Sequence, residues 1–166
     1  IRSIFQIDNT VFNSSFSDAF DADFSQGNIT DSYFINSGND AMDFSGSVVN
    51  IRNIIINGSG DKGISVGEKT LLVADSIMIK RANIAVASKD LSEVKINNIS
   101  ILDSKIGFLV LEKKSEFGPA SIIATNIKFN STDNLYMIEE GSFLMVDGEN
   151  IESDQKELKK AIYSDK

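Results

Sequence analysis

The stretch Val94-Lys95-Ile96-Asn97-Asn98-Ile99-Ser100-Ile101 carries apolar residues at its first, third, sixth and eighth places and an Asn at its fifth. Alternation over three residues is strand periodicity. The switch from odd to even apolar places at Asn98 means that one strand ends and another begins there, with both apolar sets facing the same way. The template recurs at 49–56, 122–129 and 5–12, and with one or two weak positions at 27–34 and 72–79. The six segments start at Phe5, Gly27, Val49, Leu72, Val94 and Ile122, so the steps are 22, 22, 23, 22 and 28 residues. A fixed short period signals stacked units, none of which buries its apolar face alone.

A second apolar pair follows in each repeat: Phe20 and Ala22, Met42 and Phe44, Ile64 and Val66, Ile84 and Val86, Phe108 and Val110, Leu135 and Met137. Three short strands and three corners per repeat give an all-β parallel β-helix of about six to seven coils, with like positions about 4.8 Å apart. The coil length, and the lack of a hexapeptide repeat, make the hand right-handed. Residues 1–152 are assigned to the solenoid and 153–166 to a C-terminal helical cap. The segment from Asp154 to Tyr163 reads as a short helix with Ser153 as N-cap, acids first and lysines later. Its Leu158, Ala161 and Ile162 are expected to lie over the last coil. No cap precedes Phe5 and the chain starts at Ile1, so the expectation is a part of a larger protein.

The corner column Asn9, Asp31, Asn53, Ser76, Asn98 and Asn126 is structural. Such residues tolerate unusual backbone angles and bond their own backbone, and stacked amides bond one another. These positions are set aside as catalytic candidates. Five Asn-x-Ser/Thr triplets, at Asn13, Asn28, Asn57, Asn98 and Asn130, are the chance product of Asn- and Ser-rich corners.

Composition narrows the chemistry. The 166 residues include no Cys and no His, which excludes disulfides, Ser-His-Asp triads, Cys-His pairs and His-ligated zinc within this chain. A net charge of −8 argues against nucleic acid, which needs a basic face. There is no apolar run of the length a membrane span needs.

The candidate site is the outer side of the second apolar pairs and their turns. In the repeat frame Asp21, Asp43 and Ser65 stack in one outward column, and Asp18, Asp40 and Lys62 in another. Stacked carboxylates need a counter-charge. Lysines of adjacent coils would supply an inter-coil ion-pair ladder, and calcium at Asp21, Asp23 and Asp43 would supply a cation instead. A third reading is a ligand-binding surface of Asp43, Asp61, Lys62, Glu68, Lys89, Asp90 and Lys113. Catalysis there would fall to Lys62, Lys89 and Asp61. Asp21 with Asp43 as an acid–base pair is a further option, though regular stacking accounts for that pair more simply. The 28-residue step is an insertion at 112–120 holding the only proline, Pro119, and it is the candidate groove wall.

Asn98-Ile99-Ser100-Ile101 and Gly63-Ile64-Ser65-Val66 resemble the pectate-lyase-like, right-handed parallel β-helix superfamily over roughly residues 3 to 150. Asp40-Ala41-Met42-Asp43-Phe44-Ser45 and the stretch from Gly60 to Glu68 resemble β-helix modules of large bacterial surface or secreted proteins. The resemblance implies an extracellular or cell-surface setting and a polysaccharide or other cell-envelope partner. It also offers calcium-dependent polysaccharide lysis, in which carboxylates hold the metal and Lys or Arg abstracts the proton. The polygalacturonase pattern needs a His, and ice-binding solenoids need Thr columns; neither is present. The expectation is a non-catalytic module. The alternatives are a calcium-dependent lyase on the Asp/Lys/Glu face and a pure structural scaffold.

Overall fold

The computed structural model describes residues 1–153, 155–156 and 158–163. The first coil holds β1 (Ile4–Asp8), β2 (Val11–Asn13) and β3 (Phe20–Asp23), and the second β4 (Gln26–Ser37) and β5 (Met42–Ser45). The third and fourth coils are nearly continuous strands, β6 (Val48–Gly67) and β7 (Leu71–Lys89). The fifth holds β8 (Glu93–Leu102) and β9 (Ile106–Leu111), and the sixth β10 (Ser121–Asn130) and β11 (Asn134–Ile138). The last turn adds β12 (Phe143–Val146), β13 (Glu149–Ile151) and the helix α1 (Leu158–Tyr163). All pairings between coils are parallel, so the chain is a β-solenoid of about six turns. Only β12 and β13 pair antiparallel, and that hairpin covers the free edge of β12. Among the described residues, no helix is long and apolar enough to cross a membrane.

The repeat frame is the register. Phe5 stands beside Gly27, Gly27 beside Val49, and the column continues through Leu72, Val94 and Ile122 to Leu144. Gly27 is a weak template position because the Phe5 ring fills its space; a Cβ there would stand 2.4 Å from that ring. Aromatic rings occupy both ends of the core. Phe12 stacks on Phe34 with centroids 4.7 Å apart, and Phe108 meets Phe129 and Tyr136. Between them the core is stacked Ile, Val, Leu and Ala.

Asn9, Asp31, Asn53, Ser76, Asn98 and Asn126 all have left-handed φ, from 48° to 58°, as the corner reading requires. Within the column Asn53 Nδ2 donates to Asp31 Oδ1 at 2.5 Å, while Asn98 and Asn126 donate sideways to Asp75 and Asn97. A second left-handed column, Ser14, Asn36, Gly58, Arg81, Asp103 and Ser131, was not legible because its residue types are mixed.

A buried hydroxyl row joins the coils just before the first strands. Backbone N–H groups of Ser3, Ser25, Ser47 and Thr70 donate to the side-chain oxygens of Ser25, Ser47, Thr70 and Ser92, at 2.9 to 3.2 Å. The signal was present: Ser or Thr stands two residues before Phe5, Gly27, Val49, Leu72 and Val94. Ser47→Ala strands the Ser25 N–H, and chemical denaturation should register a loss of about 1–3 kcal/mol.

Two details differ from the sequence reading. In the fourth coil Val86 and Ser88 align with Ile64 and Val66, so Ile84 is not one of the inward pair. In the sixth, Tyr136 and Ile138 align with Phe108 and Val110, one residue on from Leu135 and Met137. The cause is a second apolar cluster outside the barrel, Ile84, Ala87, Leu109 and Leu111, which erases the alternation. Leu158 of α1 is buried in that cluster, with Ile162 and Tyr163 packed against it. The helix therefore lies along the side of the fourth and fifth coils, and Ala161 is exposed. Ser153 Oγ donates to the Ile138 carbonyl, and Gln155 bridges Glu139. Asp154 and Glu157 lie outside the described residues.

Candidate functional site

The outer column predicted from the repeat is present: Asp21 beside Asp43, Asp43 beside Ser65, then Ala87, Leu109 and Met137. Its chemistry changes halfway, acidic and polar over three coils, apolar over the next three. Helix α1 covers the apolar half. Lys62, Lys89 and Lys113 collect near this boundary, where the Tyr163 ring lies 5.8 Å from Lys62 Nζ and 4.7 Å from Lys113 Nζ. Burial pushes the Tyr163 phenol up to about 12, and its buried hydroxyl has no hydrogen-bond partner.

Lys62, 4% exposed, sits between two buried carboxylates, Asp61 at 8% and Asp40 at 3%. Its Nζ is 2.7 Å from Asp61 Oδ2 and 3.5 Å from Asp40 Oδ1. Asp40 Oδ1 also accepts the Lys62 backbone N–H at 2.9 Å, and Asp18 Oδ1 accepts the Asp40 N–H in the same way. The second column is thus a chain of carboxylates receiving the next coil's backbone. Burial acts against the Lys62 ammonium, but Asp40 and the Asp61 hydrogen bond outweigh it and hold its pKa above the ordinary lysine value. Burial also raises Asp40, against the pull of Lys62. Of the two carboxylates, Asp61 is the nearer to Nζ and Asp40 the farther.

Lys89 is 7% exposed, and its stem lies over Gly67, which presents no side chain. Its Nζ donates to Ser65 Oγ at 2.8 Å. Burial pulls its pKa below the usual lysine value; Asp43 opposes this, and Lys62 and Lys113 reinforce it. One buried Asp43 oxygen has no hydrogen-bond partner. Asp90 is buried and its Oδ1 receives the backbone N–H groups of Lys113 and Lys114 at 2.7 and 2.6 Å. The insertion 112–120 is tied to the preceding coils: Leu91 N–H donates to the Gly118 carbonyl, Lys114 pairs with Glu68, and Lys69 lies over the Phe117 ring. The contacts of Lys113, Lys114 and Tyr163 set this segment and α1 beside one boundary.

The structure brings Lys62, Asp61, Lys89, Asp43 and Asp90 into one neighbourhood, and leaves Glu68 at its rim. Asp21 stays exposed at the acidic end. Among the described residues, no three carboxylates assemble as a metal-ligand set. The Asp21 carboxyl pKa is raised from its ordinary value by partial burial, then by Asp23, Asp43 and Asp18. A raised folded-state pKa contributes stability below the unfolded value that is lost as pH rises through the folded one. Asp21→Asn should therefore melt higher than the parent at neutral pH, and the gap should close on acidification below the carboxylate range. A pH series of thermal melts checks this. Sequence reasoning missed the Ser65–Lys89 contact, which depends on the rotamer Lys89 takes over Gly67, and the placement of Tyr163, which depends on where α1 docks.

No protein-family model matches this chain, and neither a curated protein nor a solved structure matches it at a significant level.

Proposed function

We propose that this chain is a non-catalytic β-helix module of a larger bacterial surface or secreted protein, and that it binds a cell-envelope carbohydrate. The observation that carries the non-catalytic reading is the burial of Lys62 and Lys89, both with partners inside the chain. A general base must reach the proton that it removes from a polymer. Likeness to the pectate-lyase-like superfamily, in the Asn-Ile-x-Ile and Gly-Ile-x-Val segments, supports the extracellular setting.

The binding surface favoured by this reading is the outer side of the first strands. There Gln6, Asn28 and Asn50 form an exposed amide row, with Asn28 donating to Gln6 at 3.1 Å and Asn50 to Asn28 at 3.3 Å. With Thr30, Arg52 and Asp75 they line an open depression of about 350 Å³. Neutral amides offer both donors and acceptors to sugar hydroxyls. Binding on an array of envelope glycans, lost in an Asn28→Ala/Asn50→Ala chain, is the expected result. Unsaturated product released from a uronate polymer, or saturable heat on calcium titration, would favour the calcium-dependent lyase instead.

A further inference from the structure

We propose that Lys62 and Asp40 condense to an intramolecular amide that staples the third coil to the second, with Asp61 carrying the proton. The geometry is that of a lysine enclosed by two carboxyl groups of different standing. Asp61 Oδ2, at 2.7 Å, is within proton-transfer reach of Nζ. Asp40 Oδ1, at 3.5 Å, makes this the second carboxyl group within ion-pair distance of Nζ, and closing the remaining gap to Cγ is what the attack requires. The Lys62 backbone N–H already donates to that same oxygen at 2.9 Å, where negative charge would gather in a tetrahedral intermediate. All three side chains are buried, which keeps out the water that would reverse the reaction.

The step balances as follows. The Lys62 ammonium gives one proton to Asp61, and the freed lone pair attacks Cγ of Asp40 in its acid form. The C–N bond forms and the carbonyl pair moves onto Oδ1. The former acid hydroxyl then leaves as water, taking a second proton from the nitrogen by way of Asp61. The products are one amide, one water and a protonated Asp61. Two further observations fit the roles. Burial raises Asp40 toward the acid form that the attack needs, and a carboxylate hydrogen-bonded to the amine, as Asp61 is, is the poorer electrophile. Lys62 and Asp40 lie on adjacent coils, 22 residues apart, so the bond would lock coil register in a chain without cysteine.

Intact-mass measurement of the folded full-length chain tests this. The expected mass is one water below the sequence mass, with proteolysis yielding a branched peptide that joins the Asp40 and Lys62 segments. Asp61→Asn should restore the full sequence mass in a chain whose circular dichroism is still that of the parent. A folded parent chain at full sequence mass overturns the proposal. So does a dehydration mapped to any other pair, including Lys62 with Asp61. An Asp61→Asn chain that still loses the water removes Asp61 from its role and overturns the mechanism stated.

Discussion

Lys62→Met should lower stability by about 3–5 kcal/mol, the range for removing one partner of a buried ion pair. The Met fills a similar volume, so lost packing is a minor part of the change. The large term is polar: Asp40 and Asp61, both buried, are left without Lys62, whether it holds them as an ammonium or through the amide. Denaturant unfolding with an unchanged m-value would show that the native state alone is affected. The triple change Asp40→Asn/Asp61→Asn/Lys62→Met should recover part of the loss, because no buried charge is then left unpaired. A Lys62→Met chain as stable as the parent would mean that the lysine bears none of this load.

Leu158→Ala should weaken docking of α1 by about 2–5 kcal/mol, as for a fully buried Leu truncated in a packed site. Leu158 is the only buried residue of a six-residue helix, so it is the main apolar anchor. Helices this short do not persist in water without tertiary contacts. The effect should be local. Amide exchange in α1 should rise steeply, while the coils, joined to each other by parallel pairing, keep their protection. The uncovered Ile84, Ala87, Leu109 and Leu111 should then bind an apolar dye and promote self-association. Unchanged exchange in α1 would contradict the docking described.

The coil frame was legible because stacking puts like on like. A column such as Val49, Leu72, Val94 and Ile122 is visible at a fixed period without any knowledge of tertiary contacts. The left-handed corner at Asn53 and Asn98 was legible for the same reason. The site was legible only by column. That Asp43 stands over Ser65 follows from the period, but that Lys89 folds back over Gly67 to reach Ser65 does not. A long flexible side chain has many rotamers, and only the packed surroundings select one. The slips at Ile84 and Leu135 have a related origin: once α1 covers the outer face, apolar residues stand on both sides of the strand, and period-two alternation no longer tells inside from outside.

The amino-acid sequence by itself determined the repeat, the coil length, the register of the first strands, the Asn corner column and the exclusion of histidine and thiol chemistry. These depend on short-range geometry and on residue type, which one period is enough to expose. Only the tertiary structure decided which side chains are buried, where α1 lies, and that Lys62 and Lys89 turn inward to partners of their own chain. Those outcomes depend on contacts between residues dozens of positions apart, made after the coils have stacked, and no local pattern encodes them.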